Sequence, residues 1–110
     1  MANRHRGEVE AVFGGRRYIL CLTLGGLAEL EASFGADGLA DLGARLGAGL
    51  SARDVIRILA VGLRGGGTAI SDEEVAQFPL TDFAAYAEAV RALLASTFGE
   101  HPPPETAANP

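Results

Sequence analysis

The chain contains no lysine. All nine of its basic residues are arginine, against fourteen acidic ones, giving a net charge of −5 over 110 residues. That balance argues against a general nucleic-acid binder, whose affinity rests on many cationic contacts to phosphate. It also excludes a phosphate loop of the G-x-x-x-x-G-K-[ST] type, which needs a lysine to reach the phosphates. With one cysteine, Cys21, no internal disulfide can form, and its neighbours Leu20 and Leu22 suggest a reduced, packed, strand-borne thiol. The two histidines, His5 and His101, stand near opposite ends, so a catalytic triad or zinc site would require both termini to come together. Long apolar runs are missing too: Ile58 to Leu63 is far shorter than the roughly 20 residues of a membrane span. The opening "MANRHRGEVE" lacks the apolar core of a secretory signal, and a cytoplasmic location is the expectation.

What is present suits a folded protein: 48 % of residues are apolar and 21 % charged. "GEVEAVFGGRRYILCLTL" reads as a β-hairpin about Gly14-Gly15, a pair able to take the positive φ of a tight turn. Val9, Ala11 and Phe13 share one face of the first strand; Tyr18, Leu20, Leu22 and Leu24 share one face of the second. After Leu24 the apolar period changes from two to about 3.6, with Leu27, Leu30 and Phe34 at helical spacing. Thr23 is the candidate N-cap of that helix and Gly35 its stop. A short, glycine-interrupted helix follows from Leu39 to Leu46. Ser51 and Asp54 then form a capping box before an apolar face of Val55, Ile56, Ile58, Leu59 and Leu63, ended by Gly65-Gly66-Gly67. Ser71 and Glu74 repeat the capping signature before Pro79, and a last helix begins after Thr81, carrying Phe83, Tyr86, Ala87, Val90, Leu94 and Thr97 on one stripe.

The expected fold is therefore α+β: an N-terminal β-hairpin followed by four to five helices in a small helical domain. Residues 1–7 are expected to be flexible, 8–99 to form one domain, and 100–110, with three consecutive prolines, to be a disordered tail.

No residue set carries catalysis. "GLRGGGT" follows a helix instead of a strand, which makes it a helix stop and not a nucleotide cradle. Glu29 with Glu31, and Glu73 with Glu74, are too close in sequence to face each other on a helix. Asp37-Gly38 lacks the regular oxygen ligands of a calcium loop. No enzyme activity, cofactor or metal is expected. Two surfaces are candidates for protein binding. Arg53, Arg57 and Arg64 lie along one side of the Ser51-capped helix and could meet an acidic partner; Leu39, Leu42 and Leu46 on the weak helix could meet an apolar one or belong to the core.

The stretches "GEVEAVFGGRRYILCLTLGGLAELEASFG", "LSARDVIRILAVGLRGGG" and "SDEEV" together resemble the small tail-assembly-chaperone family of gene transfer agents and tailed-phage clusters, over about residues 5 to 99. The resemblance implies a non-enzymatic role in tail morphogenesis, with the tape-measure protein and tail tube subunits as partners and no membrane involved. The family is also labelled a tail tube protein; a tube ring requires long strands, and the one evident hairpin favours the chaperone role. The alternative is a cytoplasmic adaptor or regulatory domain, homodimeric through the exposed edge of its hairpin.

Overall fold

In the computed structural model, which describes residues 7–99, Gly14 and Gly15 take φ of 62° and 72°. These values close a two-residue turn between β1 (Val9–Phe13) and β2 (Arg16–Leu20), which pair antiparallel with Val9 opposite Leu20 and Phe13 opposite Arg16. Five helices follow: α1 (Leu24–Phe34), α2 (Leu39–Gly47), α3 (Ala52–Gly65), α4 (Asp72–Ala76) and α5 (Phe83–Phe98), the last entered through a 3-10 turn at Leu80–Asp82. The arrangement is the α+β one that the residue pattern implies. The expectations for residues 1–6 and 100–110, including His5 and His101, lie outside the described residues. The Gly7 carbonyl accepts the Ser96 hydroxyl at 3.2 Å.

The second strand ends earlier than its alternation suggests. At Cys21 the backbone N–H turns away from the hairpin and donates to the Gly62 carbonyl on α3 at 3.0 Å, so Leu22 and Leu24 leave the strand face. Leu24 instead opens α1 and is 85 % exposed. Three residues of connection suffice because the Thr23 hydroxyl accepts from the Gly26 N–H at 3.0 Å, capping the helix at once. Gly26 is buried there against α3, where an added Cβ would come within 2.8 Å of Val61. Gly35, at φ 63°, ends α1 with its N–H bonded to Ala32.

α3 is the central element. Six consecutive residues, Ile58 to Leu63, are buried, so the helix is enclosed on every side along its second half. It packs against β2, α1, α4 and α5, while α5 lies beneath β1. Ser51 with Asp54, and Ser71 with Glu74, form complete capping boxes at the starts of α3 and α4. Gly38 gives α2 no side-chain cap. Asp41 compensates: its carboxylate accepts from the Asp37 N–H at 2.9 Å and from Arg45 at 3.3 Å, and these bonds hold its pKa below the usual carboxylate value.

An aromatic cluster joins the hairpin to α5. The Phe13 ring stacks on Tyr18 at 4.6 Å and meets Tyr86 edge-on at 5.2 Å, while the Tyr86 hydroxyl donates to the Pro79 carbonyl at 2.8 Å. Burial, then the nearby Asp82 carboxylate and Tyr18, raise the Tyr86 pKa above the ordinary tyrosine value. A neutral Tyr86 is therefore favoured by the fold. The associated stability is fully present below the unfolded-state pKa of about 10 and is lost as pH rises through the higher folded value. Alkaline denaturant titrations should show this loss in the wild type and a shallower one in Tyr86→Phe.

Candidate functional site: an apolar groove between α2 and α5

The apolar residues of α5 divide between two faces. Tyr86, Ala89, Val90 and Leu93 are buried in the core. Phe83, Ala87, Leu94 and Phe98, at offsets of 4, 11 and 15, fall along a second stripe that lines an open groove of about 540 Å³. The opposite wall is α2, where Gly43 and Gly47 present no side chain, with Leu46, Leu50 and Val55 completing the lining. A Cβ at Gly43 would meet only the Phe98 ring, at 3.9 Å, and one at Gly47 would meet nothing. These glycines thus hold the wall back from α5. From Phe83 to Phe98 the floor runs about 22 Å at 1.5 Å per residue, enough for four turns of a second helix. Phe83, 45 % exposed, and Val55 also line a smaller hollow of about 130 Å³ together with the exposed Leu80.

The groove carries almost no polar chemistry. Its one charged lining residue, Arg91, is held by Glu88 through bonds of 3.0 and 2.7 Å, which keep the Glu88 pKa below the usual carboxylate range. Among the described residues no cluster of histidine, cysteine, aspartate or glutamate could hold a metal, and no helix is long and apolar enough to cross a membrane. Cys21 is buried. What the groove can do is cover an apolar segment of another chain.

The sequence-derived candidates are dispersed. Leu42 is fully buried and Leu46 is 7 % exposed, because α2 turns both into the core; Leu39, 52 % exposed, remains on the surface. Among the three arginines, Arg57 reaches Asp72 at 3.1 Å, and Arg64 reaches Asp72 at 3.1 Å, Glu29 at 3.3 Å and the Ile70 carbonyl at 2.9 Å. These two tie α1, α3 and α4 together across Asp72. Arg53 has no ion pair among the described residues and lines a shallow mixed-charge hollow of about 370 Å³. Asp72→Ala would leave Arg57 and Arg64 adjacent without their shared carboxylate. Because the pairs are partly exposed, a loss of about 1 kcal/mol is expected in urea unfolding, with the fold retained.

Phe83, Leu94 and Phe98, with the two glycines, are the site residues that sequence reasoning missed. The family comparison bears on this surface as a whole. A family model described as phage tail tube protein, GTA-gp10, matches residues 6–100. The chain belongs to that family. The match takes in every element described above, both walls of the groove included. It supports a part in phage-like tails of gene transfer agents. No curated protein and no solved structure gives a match.

Proposed function

We infer that this member of the tail family works as an assembly chaperone, holding an apolar helical segment of the tape-measure protein in the α2–α5 groove while tail tube subunits assemble. The observation that carries the reading is the groove itself: an unpartnered apolar floor of about 22 Å with a glycine-lined wall, long enough for a helix and lacking the convergent polar groups of a small-molecule site. The proposed role involves no catalysis. A second reading, permanent membership of the tail tube, is favoured by the description of the family. Against it stands the sheet, two strands of five residues each, which offers little for a ring of strands.

The test is co-expression with the tape-measure protein of the same genome, followed by affinity purification and a solubility assay. Co-purification with increased partner solubility is expected, with the chain absent from finished tails. Retention in purified tails at a fixed ratio to tube subunits would select the second reading, and failure to bind would remove the first.

A further inference from the structure

The hairpin has two edges, and among the described residues the rest of the fold closes only one. In a two-residue hairpin the pair flanking the turn, Phe13 and Arg16, exchanges hydrogen bonds, so the N–H and C=O groups of Glu10 and Val12 on β1 and of Arg17 and Ile19 on β2 point outward. On the β2 side the end of α3 lies against the strand. A Cβ at Gly66 would collide with the Ile19 carbonyl, and the next outward group, the Cys21 N–H, is bonded to Gly62. On the β1 side Glu10 and Val12 are exposed, Val12 at 58 %, and their backbone groups have no partner among the described residues. An open edge beside an exposed valine is a template for strand pairing.

We propose that this edge joins two copies of the chain, β1 to β1 and antiparallel, into a four-stranded sheet. Self-pairing is favoured by the residues themselves. A two-fold axis at Ala11 sets Glu10 of one copy opposite Val12 of the other, so the four outward groups of each strand are satisfied and no carboxylate faces a carboxylate. Moving the axis to Glu10 would oppose two glutamates. The side chain at the axis is the small Ala11, half-buried on the face toward α5, and on the outer face each valine is covered by the other copy's Glu10 stem. Because each chain has one open edge, the pairing closes at two copies. It is independent of the groove reading.

Analytical ultracentrifugation of the full chain should give a concentration-dependent dimer, and amide hydrogen exchange should slow at Glu10 and Val12 as concentration rises. Val12→Glu, which sets two carboxylates opposite each other at both ends of the pairing while facing Arg17 within its own hairpin, should shift the species to monomer with unchanged circular dichroism, whereas Phe83→Glu, in the groove, should leave the dimer intact. If Val12→Glu fails to fold, Val12→Pro, which removes one outward N–H that the hairpin itself does not use, gives the same reading. A monomer at all concentrations, a dimer indifferent to both Val12 variants, or amides at Glu10 and Val12 that stay fast would overturn the proposal.

Discussion

Gly65→Ala and Gly66→Ala are each expected to lose about 3 kcal/mol or more of stability, and at least one of them to fail to accumulate as folded protein. Helix propensity alone gives the opposite sign for Gly65, the last residue of α3, since alanine is favoured over glycine by up to about 1 kcal/mol in a helix. The difference is the hairpin. A Cβ at Gly65 would run into the Cys21 carbonyl and one at Gly66 into the Ile19 carbonyl, and backbone cannot move aside as a side chain can. At Gly66 the backbone itself, φ −86° and ψ 0°, is open to any residue, so the cost there is steric. Two glycines serve as controls. Gly62→Ala would meet the ends of the Leu93 and Leu20 side chains at 2.6 and 3.1 Å, which can shift, and should lose about 1–2 kcal/mol. Gly25→Ala, in α1 with only the Thr23 hydroxyl at 3.9 Å, should be neutral or stabilising. Chemical denaturation of the four variants measures all of this. Equal losses at Gly25 and Gly66 would contradict the packing account.

The second large effect concerns the groove. Phe83→Glu together with Phe98→Glu should abolish co-purification of the tape-measure protein, and each alone should weaken it by about 30-fold, the effect of a hot-spot aromatic worth about 2 kcal/mol. Phe83 is 45 % exposed, so its replacement should leave thermal unfolding within a few degrees of wild type. Phe98 packs against the core from one side, so its variant requires the unfolding control more. Gly47→Leu fills the opposite wall, where an added Cβ has nothing within 4 Å, and should block the partner while leaving stability nearly unchanged. Loss of binding in this wall variant, at constant stability, separates occlusion of the groove from damage to the fold.

Much of the architecture was legible because the local signals agree with one another. Gly14-Gly15, Thr23, Ser51 with Asp54 and Ser71 with Glu74 each have side chains or φ freedom that settle a turn or cap without help from distant residues, and each acts in the structure as its type suggests. Long-range effects were not legible. β2 stops at Leu20 because the Cys21 N–H finds Gly62, forty-one positions away, and no period in "YILCLTL" reports that. The glycines at 65 and 66 read as a helix stop, and α3 does end there, but nothing in their spacing shows that they are also the surface on which the strand rests. That Arg57 and Arg64 share Asp72, on another helix, is not visible in the spacing of α3. For the groove, the pattern places the apolar residues of α5 on one stripe, and only the fold shows that they divide between the core and an open face from which α2 stands off.

Hydrogen-exchange mass spectrometry of the chain alone and in complex with the tape-measure protein would locate a partner helix in the α2–α5 groove. Exchange should slow in α2 and along α5 from Phe83 to Phe98, with the α1–α3–α4 side around Asp72 unchanged. Protection confined to that other side, or a complex that leaves α5 exchanging as in the free chain, would contradict that placement.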